Sequence, residues 1–414
     1  MDAQLIFFGL LGVLFFGFVF NAILDFLNQK YAPGSLPGEI SDVFPDEEYQ
    51  KSKAYQKANF RFSLVQSVFS FMLVVFVIAA GWLGALYDFL SLYFQSKIVL
   101  ALVFFGVLFL VNDFLQLPFS YYHQFVLEEK FGFNKTTKRI FWTDKLKGYL
   151  LTCILGGGIL ALLLWLVFAL GSSFWWVFWV CISLVMFVMQ VLYVQVIAPM
   201  FNKFSPLEEG DLKSRIVAYS EKVSFPLKGI FIMDGSKRSS KANAYFTGFG
   251  RMKRIVLFDT LLEKLENEEL VAVLAHEVGH YKKKHIVFSL ILSVLQTGAV
   301  LYVLSLFVFN AELTLAMGSL AGNWAVPLNL IAFGILLEPL QMLLSVGFNM
   351  LSRKNEYEAD AWASETFDGK ALVRALKKLT VHNLGNLTPH PLYVFLHYSH
   401  PTLLQRIRAL NKLY

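Results

Sequence analysis

The chain has 414 residues, of which 56% are hydrophobic and only 16% are charged, and its net charge is a modest +6. Soluble domains carry about 25% charged residues, so this composition excludes an ordinary water-soluble enzyme and indicates a protein embedded in lipid. The two cysteines, Cys153 and Cys181, lie in apolar runs without a CxxC neighbour, which excludes a disulfide framework and a thiolate metal site.

Seven apolar stretches are long enough to cross the hydrocarbon core of a bilayer, which requires about 20 residues for a helix. Backbone groups cannot stay unpaired in lipid, so these stretches are predicted to be helices rather than strands. The first lacks a basic N-terminal flank and is too long for a signal peptide, so we interpret it as a retained span. The seven stretches lie at about 5–24, 63–86, 98–118, 148–170, 174–198, 287–309 and 326–350.

Lysine and arginine alternate between the predicted loops. The first, third and fifth loops and the C-terminal tail are basic, the second loop has only Lys97, and the fourth and sixth loops have none. Because basic loops stay in the cytoplasm, the N-terminus is predicted outside and the C-terminus inside. The predicted regions are an N-terminal membrane region with five spans (1–198), a polar catalytic region on the cytoplasmic side (199–286), spans six and seven (287–350) and a polar C-terminal region (351–414).

The polar region 199–286 mixes strand and helix signals. Two runs rich in β-branched and aromatic residues, 229–233 and 254–258, predict short strands, and Asp234-Gly235 is typical of a turn. From about Glu268 the pattern predicts a helix that leads into the sixth span. The fold class is therefore an all-α multi-pass membrane protein with a small α+β region on its cytoplasmic side.

The predicted helix carries the strongest chemical signal in the chain, the run His276-Glu277-Val278-Gly279-His280. Histidines four residues apart share one face of a helix, so both imidazoles can reach a single Zn²⁺. Zinc lowers the pKa of a bound water to about 7, and Glu277 can accept its proton as that water attacks a peptide carbonyl. The motif predicts His276 and His280 as zinc ligands and Glu277 as the general base.

A hydrolytic zinc site needs a third protein ligand and leaves the fourth position open. Just beyond the seventh span, Glu356 and Asp360 lie one turn apart on one helix face. We predict that Glu356 is the third ligand, that Asp360 orients a ligand histidine, and that Glu358 points elsewhere. Because spans six and seven return the chain to the same side, the site is expected at the cytoplasmic membrane face.

Three other polar residues receive separate predictions. His400, which precedes Pro401, could donate a hydrogen bond to the charge that develops on the carbonyl oxygen. His285 is predicted to be structural. Glu338 lies within the seventh span, and an acidic residue at that depth usually faces a protein interior or a water-filled cavity.

With these residues in place, the chain resembles the zinc-dependent CAAX prenyl protease family, the type I multi-pass membrane metalloendopeptidases. The resemblance extends over nearly the whole length and is far more specific than the metal motif alone. The segments that carry it are 128–135, 234–240, 243–246, 254–260, 276–280, 356–360 and 397–402.

The resemblance implies a barrel of seven long helices around a large water-filled chamber, with zinc near its cytoplasmic end. It also implies removal of the last three residues from prenylated proteins that end in Cys-a-a-X. Asn243, Ala244 and Tyr245 would form an edge strand that pairs with the extended substrate backbone. His400 would lie near the scissile carbonyl. The short segment between His280 and Glu356 suggests a prokaryotic member, and hence a bacterial inner membrane rather than an endoplasmic reticulum membrane.

Three functions follow as hypotheses. The first is a CAAX-type endopeptidase, whose partners are the bilayer and a peptide or protein with an extended C-terminus, with or without a prenyl group, and no nucleic acid. The second is a broader quality-control metalloprotease that needs no prenyl group; the seven spans and the segment 128–135 favour the first. The third is a non-catalytic scaffold or transporter with structural zinc, which Glu277 argues against because a structural site has no use for a general base.

Overall fold

The first half of the chain is helical. The computed structural model describes residues 2–31, 36–41, 45–247, 253–320 and 322–413. Single π-helical turns at His123–Leu127, Thr152–Gly156 and Tyr193–Ile197 join consecutive helices without a break. The helices of this half are α1 Ala3–Lys30, α2 Gly38–Ser41, α3 Asp46–Ala79, α4 Trp82–Ser91, α5 Lys97–Tyr122, α6 Glu128–Lys130, α7 Lys138–Leu151, α8 Gly157–Leu170, α9 Phe174–Leu192 and α10 Ala198–Phe201.

The polar middle of the chain forms the predicted small α+β unit. Its one four-stranded sheet has the order β1-β2-β4-β3, with β2 and β4 parallel and each outer strand antiparallel to its neighbour. The two predicted strands are confirmed, because they lie within β2 and β4, and β3 is an edge strand. The elements are β1 Phe204–Pro206, α11 Asp211–Lys222, β2 Leu227–Met233, β3 Ala244–Thr247, β4 Lys253–Phe258, α12 Asp259–Leu262 and α13 Asn267–Lys282.

The last third of the chain returns through the membrane and adds to this unit. The helix predicted from about Glu268 does not continue into the sixth span, because Lys284 adopts a left-handed φ of 59° between α13 and α14. The remaining helices are α14 His285–Phe307, α15 Ala311–Ala316, α16 Val326–Thr366, α17 Gly369–His382, α18 Pro391–His397 and α19 Leu403–Leu410.

Six helical ranges of the described chain are long and apolar enough to cross a membrane: Ala3–Lys30, Asp46–Ala79, Lys97–Glu128, Lys138–Phe201, His285–Phe307 and Val326–Thr366. The multi-pass architecture expected from composition is confirmed. The fourth range has 64 residues and is interrupted at Gly171, whose φ of 56° ends α8 before α9 begins. The second helix is shorter than predicted at its C-terminal end, because the chain turns at Ala80 and Gly81 before α4.

Two helices from distant parts of the sequence pack closely in the polar unit. One face of α13 is buried in a core that also contains Ile255 and Leu257 of β4. The other contact is with α16, where Gly279 allows close approach: a Cβ atom at this position would lie 3.0 Å from the Cα of Ala359 and 3.1 Å from its carbonyl oxygen. This distance is too short for a larger residue unless one helix shifts.

Gly279→Ala is therefore expected to destabilise the protein, because the added methyl group pushes α13 away from α16. Overpacking of this kind costs about 1–3 kcal/mol in the free energy of unfolding. The measurement is the thermal unfolding midpoint in detergent. Gly334→Ala is the matched control, since Gly334 also lies in a helix but nothing stands within 4 Å of its added Cβ. An unfolding midpoint for Gly279→Ala at or above that of Gly334→Ala would contradict the packing argument.

Candidate metal centre

The contact between α13 and α16 brings three metal-ligating side chains together. His276 and His280 project from α13, and their Nε2 atoms lie 3.2 Å apart. Glu356 of α16 places one carboxylate oxygen 3.2 Å from Nε2 of His280 and the other 3.5 Å from Nε2 of His276. The ligating atoms of this cluster all lie within 4.8 Å of one another.

The cluster has the geometry of a zinc site. Tetrahedral coordination with Zn–N and Zn–O distances near 2.0–2.1 Å places donor atoms roughly 3.3 Å apart, close to the separations found here. The side chains of His276 and Glu356 are only 8% and 6% exposed. Oε2 of Glu356 is buried without a hydrogen-bond partner among the described residues. Such an atom is costly to bury unless it binds something, so the donor set fits a metal ion.

The first ligand histidine is held by a carboxylate on its other ring nitrogen. Nδ1 of His276 lies 2.8 Å from Oδ1 of Asp360. Asp360 also accepts hydrogen bonds from the guanidinium of Arg406, with Nε at 2.8 Å from Oδ2. Nη1 of Arg406 lies 3.5 Å from Glu356. Arg406 thus contacts both acidic residues of this helix face and fixes the plane of the His276 ring through Asp360.

The second ligand histidine has a different support. Nδ1 of His280 lies 3.0 Å from Nδ1 of His285, and Nε2 of His285 lies 3.1 Å from the carboxylate of Glu358. If Nε2 of His280 ligates a metal, its Nδ1 carries the proton and donates to His285. An imidazole that accepts at Nδ1 carries its own proton on Nε2, so His285 donates to Glu358. The carboxylate of Glu358 can therefore set the tautomers of both His285 and His280.

Electrostatics favour charged groups in this buried cluster. Burial by itself lowers the pKa of His280, but the hydrogen bond and the charge of Glu356 outweigh it, and the net direction is upward. Burial likewise opposes the charge of Arg406, whereas Asp360 and Glu356 raise its pKa, so the guanidinium stays charged. Each buried charge has an opposite charge next to it.

The two residues predicted to act on the substrate lie beside the cluster. Glu277 follows His276 on α13, is half-buried, and its negative charge acts on both His280 and Arg406. His400 lies between α18 and α19, with its Nε2 atom 3.3 Å from Oε1 of Glu356 and its side chain 65% exposed. An exposed imidazole at this distance can contact a molecule that enters the site.

The predicted substrate-binding residues lie at the edge of the sheet. Asn243 precedes β3, and its side-chain oxygen accepts a hydrogen bond from the N–H of Ala244 at 2.8 Å. Tyr245 belongs to β3 and pairs with Val256, but its side chain lies outside the described residues. β3 and α13 are joined through β4, which contributes Ile255 to the core that buries α13.

Three residues of this site escaped the sequence analysis as functional candidates: Arg406, His285 and Glu358. Arg406 lies in a short C-terminal helix, and no local pattern links it to a carboxylate 46 residues away. The sequence predicts His285 to be structural and Glu358 to point away from the metal site. His285 follows His280 by five positions, which is not a same-face spacing in a continuous helix, and the turn at Lys284 brings the rings together.

Comparisons with known proteins cover the whole of this architecture. A family model described as CAAX prenyl protease N-terminal, five membrane helices, matches residues 28–203, and one described as peptidase family M48 matches residues 206–414. The chain is 38% identical to CAAX prenyl protease 1 of Saccharomyces cerevisiae, over 95% of this chain and 92% of the relative. The human CAAX prenyl protease 1 homolog is 32% identical, over 91% and 88%. The crystal structure of S. mikatae Ste24p matches with a TM-score of 0.91 and 35% identity, over 99% of each chain.

His285→Ala is expected to weaken zinc binding, because His280 loses the acceptor that fixes its tautomer and ring orientation. Loss of such a support usually lowers metal affinity about 10–100-fold. The measurement is competition for Zn²⁺ with a chromophoric chelator, and it requires no activity. His382→Ala is the control, since His382 ends α17 outside this cluster. Zinc affinity of His285→Ala equal to that of the control would contradict the role assigned to His285.

Proposed function

The chain belongs to peptidase family M48, and on this basis we propose that it removes the last three residues from prenylated proteins that end in Cys-a-a-X. It is a metalloendopeptidase with several membrane spans, and its substrates are peptides or proteins at the membrane. The proposal rests on the cluster of His276, His280 and Glu356, and on Glu277, which lies on the same helix as the two histidines. The CAAX prenyl protease 1 relatives support the substrate class.

We propose zinc as the metal, held by His276, His280 and Glu356. Two imidazoles and one carboxylate are a common ligand set of catalytic zinc and leave one position open. When bound, zinc supplies Lewis acidity and lowers the pKa of a bound water to about 7. Asp360 and Arg406 hold the ring of His276, and His285 with Glu358 holds that of His280.

The chain's own residues have distinct tasks in peptide hydrolysis. Glu277 accepts a proton from the attacking water and can pass it to the departing amine, as a general base and then a general acid. His400 donates a hydrogen bond to the carbonyl oxygen as negative charge develops there. Its exposure lets it meet the substrate, and its contact with Glu356 keeps its ring at the cluster.

We propose that the substrate backbone pairs with β3. This strand lies at one edge of the sheet, with β4 on its other side. An edge strand offers backbone N–H and C=O groups to an extended peptide, and the hydrogen bonds formed do not depend on the peptide's sequence. Asn243, Ala244 and Tyr245 would make the first of these contacts. Strand addition thus suits an enzyme that cleaves different C-terminal tripeptides.

The membrane helices support the proposal of a water-filled chamber enclosed by seven helices. Counting α7–α8 and α9 as separate crossings gives seven spans. Several polar side chains of the apolar helices pair with one another, as expected for groups that line a wet interior. Glu338 lines a cavity of about 210 Å³ together with Asn21 and Asp25 of α1. Further polar pairs on these helices are Gln66 with Gln116, Gln116 with Ser70, Asp113 with Lys145, and Gln296 with Gln341.

The orientation also remains a proposal: the N-terminus outside, and the metal cluster and C-terminus on the cytoplasmic side, as the basic loops indicate. A bacterial inner membrane stays a prediction, and the relatives reported above are eukaryotic. Similarity to CAAX prenyl protease 1 over most of both chains favours the CAAX hypothesis over a broader quality-control protease.

Glu277→Gln is expected to abolish cleavage while zinc remains bound, because the amide keeps the shape of the carboxylate but accepts no proton. General acid–base catalysis contributes about 10²–10⁴-fold, so kcat should fall at least 100-fold. The assay is cleavage after Cys in a farnesylated Cys-a-a-X peptide, run beside the unprenylated peptide, with zinc content measured on the same samples. Glu365→Gln, an exposed change on α16, is the control.

Two outcomes would contradict the proposal. Zinc-replete wild type that cuts neither peptide would remove the CAAX assignment and make a quality-control protease the leading hypothesis. Glu277→Gln that cuts as fast as Glu365→Gln would remove Glu277 from the mechanism. Equal cleavage of the prenylated and unprenylated peptides would show that the prenyl group does not determine specificity.

A further inference from the structure

One face of α16 carries more than the metal ligand. Its side chains include, at intervals of four, three and four residues, Asn349, Arg353, Glu356 and Asp360, so all four project from the same side of the helix. Glu356 faces the two ligand histidines, and Asp360 supports one of them. Asn349 and Arg353 instead bind the end of α18, the helix that leads to His400.

The end of α18 is bound through its backbone. The last carbonyl groups of a helix have no partner within it. Nη1 of Arg353 donates to the carbonyl of Val394, at 3.2 Å, and to that of Tyr398. Its Nη2 donates to the carbonyl of Phe395 at 3.3 Å. A single guanidinium therefore binds three carbonyls at the end of α18, where its positive charge is also favoured by the helix dipole.

The link that carries His400 is short and is held from both sides. It runs from Tyr398, which caps the end of α18, to Thr402, which caps the start of α19. α19 is itself bound to α16 through the ion pair of Arg406 with Asp360. The helices before and after His400 are thus both attached to the helix that carries the third metal ligand.

The ring of His400 presents to the cluster the nitrogen that a hydrogen-bond donor needs. Its Nδ1 lies 3.0 Å from Oγ of Ser399, and its Nε2 lies 3.3 Å from Oε1 of Glu356. When the hydroxyl donates to Nδ1, the proton of the neutral ring lies on Nε2, the atom that faces the cluster. Because the His400 side chain is 65% exposed, packing does little to fix it, and the backbone of the link sets where Nε2 lies.

We propose that Arg353 is a positioning residue, which holds the end of α18 so that Nε2 of His400 meets the carbonyl oxygen of the substrate. This role rests on the proposed function of His400 as a donor to that oxygen. Arg353 acts through the backbone of residues 394–398, so one rigid helix face sets the distance between Glu356 and His400. The planar fork of a guanidinium reaches several carbonyls at fixed angles, which a lysine ammonium on its flexible stem does not.

The test is a double-mutant cycle on kcat, measured with the farnesylated Cys-a-a-X peptide. Arg353→Met removes every donor, and kcat is expected to fall about tenfold, because a misplaced His400 stabilises the transition state less well. KM should stay within about threefold, since the bond to the charged oxygen forms only in the transition state. His400→Ala should lower kcat about 100-fold. The double variant should match His400→Ala within about twofold, because Arg353 acts through His400.

Two further variants sharpen the result. Arg353→Lys keeps the charge but loses the fork, so its kcat should lie between those of wild type and Arg353→Met. Lys222→Met is the matched control, because Nζ of Lys222 also binds a carbonyl in the last turn of a helix, that of Thr366 in α16, at 2.7 Å. Its kcat should equal that of wild type. Zinc content is measured on every sample and should match wild type, since none of these changes removes a ligand.

Hydrogen–deuterium exchange tests the same contacts without any activity. In Arg353→Met, the amides of residues 394–402 should exchange about fivefold faster than in wild type, because the end of α18 loses three hydrogen bonds. In Lys222→Met, the exchange of this segment should stay as it is in wild type.

The outcomes separate the role of Arg353 from the proposed function. If Arg353→Met lowers kcat by the same factor with and without His400, the arginine supports the fold in general and its positioning role is overturned. An unchanged kcat in Arg353→Met, or an equal fall in Lys222→Met, overturns it as well. If wild type cuts no peptide, the proposed function fails and the exchange data decide: unchanged protection of residues 394–402 overturns the role of Arg353, and faster exchange supports it.

Discussion

The site depends on one close contact, between α13 and α16 at Gly279 and Ala359. The two ligand histidines and the ligand carboxylate come from segments about 75 residues apart, and the packing of α13 on α16 brings Glu356 to the histidines. α16 has 41 residues, roughly 60 Å of helix, so one rod carries Glu356 from the membrane into the polar unit. The position of one long apolar helix thus determines the geometry of the metal cluster.

The second constraint is the burial of charge. Isolated buried charges cost several kcal/mol each, and pairing offsets this only when the geometry satisfies every polar atom. Here Asp360 and Arg406 support His276, while His285 and Glu358 support His280. The two ligands are therefore held by different chemistry, a largely buried ion pair for one and a more exposed carboxylate for the other. A metal ion at the cluster would complete it by meeting the buried oxygen of Glu356.

The sequence predicted those parts of the site that follow from the regular spacing of a helix or from the order of the apolar stretches. The spacing of His276 and His280 follows from one turn of helix, and Glu356 was found because two spans return the chain to the same side. Arg406 and His285 could not be found in this way, since their contacts with the cluster join positions 46 and five apart and, for His285, require a turn with left-handed backbone. Hydropathy likewise located long apolar helices but not where the second one ends, because the turn at Gly81 lies within an apolar run.

The most direct test of the account is the metal itself, measured by zinc stoichiometry and zinc K-edge absorption on purified wild-type protein. We expect one zinc per chain, bound by nitrogen and oxygen atoms at about 2.0–2.1 Å, with two imidazoles among them and no sulfur. Replacing Glu356 by Ala should remove one oxygen neighbour and most of the zinc. Protein that folds and binds no zinc, or binds it through Cys153 or Cys181, would contradict the claim that α13 and α16 together build a catalytic metal centre.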